Sequence, residues 1–294
     1  AASIIPAQFT FDIRRVMEVQ PVKVSSAVGV HTGLLRENNE DNFYFNGIYL
    51  NESNRETPVV YTENRENNIQ IYAVCDGMGG EESGEVASLI AVETLTKYQH
   101  MLSTIKYHDF DKYISMYISE ANNLIYEKSR QNGGKRVGTT IALLCIEFNN
   151  VYIYSIGDSR VYLLHRRKLR QISEDHTQAM RSVKMGISTM EEAKTHPHRN
   201  KLTQYLGIAP GELTIRPFKY KTKASPGDLF LLCSDGITDM LEDDEIESIL
   251  KQKKPEKAIV SELIDKAIKR GGRDNITAMV LRINGKRTLF GFRI

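Results

Sequence analysis

Short, strongly apolar runs bounded by turn residues recur along the chain: NFYFNGIYL (42–50), IQIYAVC (69–75), TTIALLCIEF (139–148) and VYIYSIG (151–157). RVYLLH (160–165), LTIRPFKY (213–220), DLFLLCS (228–234) and ITAMVLRI (276–283) continue the series. Their length, their aromatic and β-branched content and their flanking Gly, Asn and Asp predict β-strands. Asn149-Asn150 marks a tight hairpin turn between the third and fourth runs. RVYLLHRRKLRQIS predicts a second hairpin, turning at Arg166–Lys168.

Helical periodicity appears in two pairs, Glu82–Tyr98 with Phe110–Ser129 and Asp243–Leu250 with Pro255–Lys269. Pro255 suits a first helical turn, where a backbone N–H is not needed. Strands joined by tight turns predict antiparallel sheets, not a doubly wound βαβ core. The economical arrangement is α+β: a four-layer αββα sandwich of two antiparallel sheets flanked by pairs of antiparallel helices. Two segments stand outside it. Asn51–Asn68, rich in Asn, Glu, Arg and Thr, reads as a solvated loop. Asp175–Gly207 reads as a helical flap beside the site, with Ser188 and Glu191 spaced as a capping box.

Composition narrows the function. At 41% hydrophobic, 294 residues are ample for a buried core. A net charge of +2 with scattered Lys and Arg argues against a nucleic-acid footprint. No run approaches the roughly 18 to 20 apolar residues of a membrane span, and the N-terminal stretch AASIIPAQFTFDIRRVMEVQ makes a poor signal peptide. Cys75, Cys145 and Cys233 form no C-x-x-C pattern and lie within apolar runs. They read as small buried hydrophobes in a reducing cytoplasm.

The chemistry lies in acids at strand ends. IQIYAVC ends in Asp76-Gly77 and DLFLLCS in Asp235-Gly236. RENNED places Glu40 and Asp41 just before a strand, IGDSR places Asp158 just after one, and GGRDNIT places Asp274 ahead of the last. Each acid alone suits a turn. Converging carboxylates repel unless a cation neutralises them, and an all-oxygen ligand set suits Mg2+ or Mn2+. Arg36, on the same segment as Glu40 and Asp41, has the planar fork that suits a phosphate dianion.

RENNED, DGMGG, GTT, GDSR, SDG and DNIT, in this order and spacing, closely resemble the metal-dependent protein serine/threonine phosphatases of type 2C over Ser25 to Ile283. The run from Glu174 to Gly207 is similar to the flap of bacterial members. The resemblance implies two antiparallel sheets flanked by helices, in agreement with the layering above. It also implies two tight Mn2+ or Mg2+ ions bridged by Asp76, with the Gly77 carbonyl on one and Asp235 and Asp274 completing the other's shell. Glu40 and Asp41 would hold metal-bound waters, Arg36 would bind the substrate phosphate, and Asp158 with Asp235 would hold a weaker third ion. A water bridging the two ions would attack phosphorus directly, with no phosphoenzyme. Met78 stands where animal relatives carry His, leaving metal-bound water as the proton source; His176 reads as a hydrogen-bonded turn residue.

The implied protein is a cytoplasmic monomer acting on phosphoproteins that serine/threonine kinases produce. Residues 25–283 form its phosphatase domain, residues 1–24 an unassigned N-terminal extension and residues 284–294 a C-terminal tail. Competing readings fare worse. A thiol phosphatase needs Arg six positions after Cys, where this chain has Glu81, Val151 and Asp239. GGKRVGTT lacks the first glycine of a P-loop. A two-metal nuclease would be more basic and lack this motif order. A catalytically silent pseudophosphatase that binds partners through the same fold would have lost an acid or the arginine, and neither is lost here.

Overall fold

The computed structural model describes residues 21–51, 57–79, 83–104, 109–131 and 136–285, together with the backbone of 288–289 and 292–293. Most of the expected N-terminal extension, residues 1–20, lies outside the described residues, as do Glu82 and the start of GGKRVGTT.

In chain order the elements begin with β1 (Lys23–His31), β2 (Asp41–Phe45), β3 (Val59–Arg65) and β4 (Ile69–Met78). Helices α1 (Gly84–Thr104) and α2 (Phe110–Gln131) follow. Next come β5 (Gly138–Thr139), β6 (Ile141–Glu147), β7 (Asn150–Ile156), β8 (Arg160–His165) and β9 (Lys168–Gln171). The flap carries α3 (Gln178–Lys184) and α4 (Met190–Lys194). The chain closes with β10 (Phe218–Lys223), β11 (Leu229–Cys233), α5 (Asp235–Thr238), α6 (Asp243–Leu250), α7 (Glu256–Lys269) and β12 (Ile276–Asn284). A short hairpin, Thr288–Leu289 with Phe292–Arg293, lies in the expected C-terminal tail.

One sheet runs β3-β1-β12-β11-β8-β9 and the other β10-β7-β6-β4-β2, with β5 added beside β4; every pairing is antiparallel. The sheets stack face to face, α1 and α2 cover one outer face, and α6 and α7 cover the other. This is the expected four-layer sandwich. Because both faces of each sheet are covered, the inner strands read as continuous apolar runs rather than alternating ones. In β4, Ile71, Ala73 and Cys75 face the helices while Tyr72 and Val74 enter the space between sheets. In β11, Phe230 and Leu232 face inward while Leu231 and Cys233 meet the helices on the other side. The three cysteines are free and buried, as their apolar settings predicted.

The structure corrects several local expectations. Two strands went unread. In β1 (KVSSAVGVH), Ser25, Ser26 and Gly29 interrupt the apolar pattern. β3 lies inside the supposed loop 51–68, because an edge strand with one covered face needs few apolar residues. Residues 52–56 of that segment lie outside the described residues. β10 starts only at Phe218, after Pro217, which has no N–H to give a ladder. The first hairpin turns at Phe148-Asn149, with Phe148 at φ 54°, one residue earlier than expected. The second turns at Arg166-Arg167, both with positive φ (48° and 65°), and Lys168 is already in β9. The capping box in the flap is Thr189 with Glu192, one residue later than Ser188 with Glu191. A one-turn helix, α5, follows β11 where the sequence suggested only a strand end.

Gly29 shows why β1 tolerates its weak pattern. A Cβ there would sit 2.7 Å from Val260 Cγ1 and 2.8 Å from Ile264 Cδ1, so α7 lies directly on the strand backbone. Gly29→Val is expected to overpack this contact and cost about 1–3 kcal/mol. Urea unfolding with the slope unchanged and the midpoint lowered is the expected result; an unchanged midpoint would mean that α7 can move away freely.

Candidate active site

The sheet register gathers the acids at one end of the sandwich. Asp41, first in β2, pairs directly with Asp76 of β4. In the other sheet, Cys233 ends β11 beside Ala278 of β12, so Ser234 and Asp235 emerge next to Asp274 and Asn275. Asp158 lies in the turn between β7 and β8. Asp76 feels the charges of Asp41, Asp235, Asp158 and Asp274, so the five expected aspartates are brought together from both sheets.

Hydroxyl and amide groups fix these acids. Asp41 Oδ2 accepts hydrogen bonds from Ser234 Oγ and Thr277 Oγ1, each at 2.7 Å. The Asp76 N–H donates to Thr140 Oγ1 (3.0 Å), and its carbonyl accepts from Thr139 Oγ1 (2.9 Å). Thr140 Oγ1 in turn lies 2.6 Å from Ser159 Oγ. Asn275 organises the loop that carries Arg36 and Glu40. Its side-chain NH2 donates to the carbonyls of Thr32 (2.8 Å) and Asn38 (2.9 Å), and its Oδ1 accepts from Glu40 N (2.8 Å). The Glu40 carbonyl accepts from Gly77 N (3.2 Å) and Ser88 Oγ (2.6 Å).

Gly77 and Gly84 are dictated by close approach. A Cβ on Gly77 would lie 2.1 Å from the Gly84 carbonyl, and one on Gly84 would lie 2.6 Å from the Glu40 carboxylate. These polar residues were not singled out from sequence. Most lie within the GTT, GDSR, SDG and DNIT motifs, beside the acids they hold.

Two buried carboxylate oxygens, Asp41 Oδ1 and Asp235 Oδ1, have no hydrogen-bond partner among the described residues. Burial, reinforced by like charge, pushes the Asp41 and Asp235 carboxyls up to about 7. The same causes hold Asp76 and Asp158 well above the usual carboxylate range. Glu40 is raised by burial as well. The mouth therefore holds protons tightly unless another cation replaces them. Arg36 spends its charge on Asp274, Nη2 to Oδ2 at 2.6 Å, with both side chains substantially exposed.

Among the described residues, no group of three or more acidic, histidine or cysteine side chains is arranged to hold a metal ion as the side chains stand. The two unpartnered oxygens, the shared proton affinity and the all-carboxylate chemistry fit a hard, partly hydrated divalent cation.

The flap is tied to this mouth at both ends. Arg160 grips the Asp175 carboxylate through Nε (3.0 Å) and Nη2 (2.7 Å). His176 N donates to the Gly157 carbonyl (2.8 Å), and its Nδ1 accepts from Gly157 N (3.3 Å), which makes it the expected turn histidine. Burial lowers its pKa, so the ring is neutral at pH 7. On the returning strand of the flap, Leu206 bridges to Thr139. At the flap's far side, Asn200 Nδ2 donates to Asp239 Oδ2 (2.9 Å), four residues beyond Asp235.

A sequence profile described as Protein phosphatase 2C matches residues 60–270. The serine/threonine phosphatase stp of Listeria monocytogenes is 34% identical over 254 residues, covering 85% of this chain and 92% of that protein. The protein phosphatase PhpP of Streptococcus pneumoniae is 31% identical over 213 residues, covering 72% and 85%. Among solved structures, the serine/threonine phosphatase PstP/Ppp of Mycobacterium tuberculosis superposes with a TM-score of 0.74 at 28% identity, covering 90% of this chain and 100% of that one. With the order of its motifs, its four-layer fold and these likenesses in agreement, the chain belongs to the protein phosphatase 2C family of serine/threonine protein phosphatases.

Proposed function

We propose that this phosphatase hydrolyses phosphoserine and phosphothreonine on proteins by direct attack of water, with Mn2+ or Mg2+ held at the acidic mouth. The observation that carries this reading is the convergence of five aspartates with two buried, unpartnered carboxylate oxygens. The PstP catalytic domain, similar to this chain at 28% identity, is described in complex with two manganese ions, which supports the same class of ion here. Asp76, Asp235, Asp274 and the Gly77 carbonyl would hold two ions, and Asp158 with Asp235 a weaker third. Glu40 and Asp41 would hold water around them. Such ions, when bound, neutralise the acids, polarise phosphoryl oxygens and lower the pKa of water.

The chain's own groups supply the rest. Arg36 is exposed and, among the described residues, is hydrogen-bonded to Asp274, so its guanidinium can turn to a phosphate dianion once Asp274 is engaged elsewhere. Asp41, oriented by Ser234 and Thr277, keeps one oxygen free to accept a proton from water. The cysteines do not supply a nucleophile. Burial raises all three thiols, Cys233 to about 12, so none is a thiolate at neutral pH. Met78 cannot protonate a leaving alkoxide and His176 is engaged with Gly157, which leaves that proton to water. The pseudophosphatase alternative has no observation in its favour. Residues 25–283 are the proposed catalytic domain, and its substrates the products of serine/threonine kinases.

Phosphate release from a phosphothreonine peptide is expected to require Mn2+ or Mg2+, and Asp76→Asn to lose at least about a hundredfold in rate while remaining folded. Full turnover in excess chelator, with metal removal verified, would overturn the metal reading. Arg36→Ala should raise KM for the peptide more than it changes Mn2+ affinity by calorimetry; lost metal affinity with unchanged KM would make the arginine structural.

In chelator the raised carboxyls of Asp41 and Asp235 bind more protons folded than unfolded. Their contribution to stability is complete below the unfolded value of about 4 and is lost as pH rises through about 7. The Tm of metal-free protein should therefore fall between pH 5 and 8, and Mn2+ should raise it most at the alkaline end. A Tm that climbs across this window without metal would contradict the geometry of the mouth.

A further inference from the structure

A pocket of about 500 Å3 opens on the flap side of the mouth, between α3 and the chain returning through 203–216. Arg181 of α3 and Arg216 of the returning chain stand on its walls, with Asp175, His176, Lys184 and Gln204. Gln204 Oε1 accepts from Arg216 N (2.7 Å), which braces the returning chain against itself. The charges do not balance. Asp175 is neutralised by Arg160, and Lys184 by Glu174. His176 is neutral because burial lowers its pKa. Arg181 and Arg216 are exposed and make no ion pair among the described residues. The pocket therefore presents two uncompensated guanidinium groups.

Its walls are also the parts of the flap that touch the catalytic centre. His176 is hydrogen-bonded to Gly157, next to Asp158. The chain through Thr203 and Gln204 continues to Leu206, which pairs with Thr139, whose hydroxyl holds the Asp76 carbonyl. The pocket walls are thus connected through one or two residues to Asp158 and Asp76.

We infer that the pocket is an accessory anion site, which takes a second negatively charged group of the phosphoprotein, a phosphorylated or acidic side chain, through Arg181 and Arg216. Guanidinium forks match both phosphate and carboxylate, and a concave site with no competing free acid favours them over solvent. The inference rests on the phosphatase reading of the mouth, but the pocket's chemistry is separate from the metal ligands.

The test uses the full chain and three peptide sets: a single phosphothreonine, the same with a glutamate moved one position at a time, and the same with a second phosphothreonine so moved. The readout is the ratio of kcat/KM for each doubly charged peptide to that of the parent, so changes at the mouth cancel. At the best spacing the wild type should favour the second anion by about tenfold, with phosphothreonine above glutamate. Arg181→Ala with Arg216→Ala should bring the ratio near one, Arg181→Glu with Arg216→Glu below one, and the paired Lys substitutions should restore most of it. A ratio of one at every spacing in the wild type, or an equal preference in wild type and the Ala pair, would overturn the site. Binding of the doubly phosphorylated peptides to metal-free protein, followed by fluorescence anisotropy, separates the two readings. If the wild type hydrolyses no peptide, the phosphatase reading fails, while an affinity lost in the Ala pair still supports the pocket and an unchanged one refutes it.

Discussion

Asp41 and Asp76 face each other across adjacent antiparallel strands, a register in which like charges sit within about 5 Å and neither backbone can turn away. Asp235 and Asp274 arrive from the other sheet and add to the repulsion. Hydrogen bonds within the mouth orient these acids but do not remove their mutual repulsion. The cluster persists because each acid is attached to a strand whose remaining residues are locked in packed layers, so the repulsion is borne by the sandwich. The consequence is a site with a strong, standing affinity for positive charge, met by protons when no other cation is present.

The sandwich also sets how accurately the acids are held. Phe43, Tyr72, Phe230 and Met279 fill the space between the sheets and are fully buried, which fixes the distance between the strand pairs that carry Asp41–Asp76 and Asp235–Asp274. Ser234 and Thr277 then reach across from one sheet to orient a carboxylate of the other. Asn275 does the same for the loop bearing Arg36 and Glu40. A binding constellation needs such supporting groups, since an acid free to choose rotamers would swing into solvent rather than face its neighbours.

The flap extends this logic beyond the acids. It is anchored by Arg160–Asp175 and His176–Gly157 at one end and by Leu206–Thr139 at the other. These anchors run to Gly157, next to Asp158, and to Thr139, whose hydroxyl holds the Asp76 carbonyl, so the flap is mechanically continuous with the acidic mouth.

The layer order, the antiparallel sheets and the positions of most acids were legible in the sequence. Strands buried on both faces must be apolar throughout, and an acid at the end of such a run stands out against it. β1 and β3 were not legible, because Gly29 answers to the packing of α7 and an edge strand answers to only one neighbour. Turn positions slipped by a residue at Phe148-Asn149, where the Phe148 backbone bonds to Asn68 and Val22, and at Thr189, where Ser188 and Thr189 are locally equivalent caps. In the site, sequence supplied Glu40, Asp41, Asp76, Asp158, Asp235 and Asp274 as strand-end acids, with Gly77 beside one of them and Arg36 on the segment that carries Glu40 and Asp41. Only the tertiary structure decided that Asp41 faces Asp76, that Arg36 rests on Asp274 and that Arg181 and Arg216 share a pocket. Those contacts join residues far apart in the chain, and their distances follow from how the two sheets stack, which no local pattern encodes.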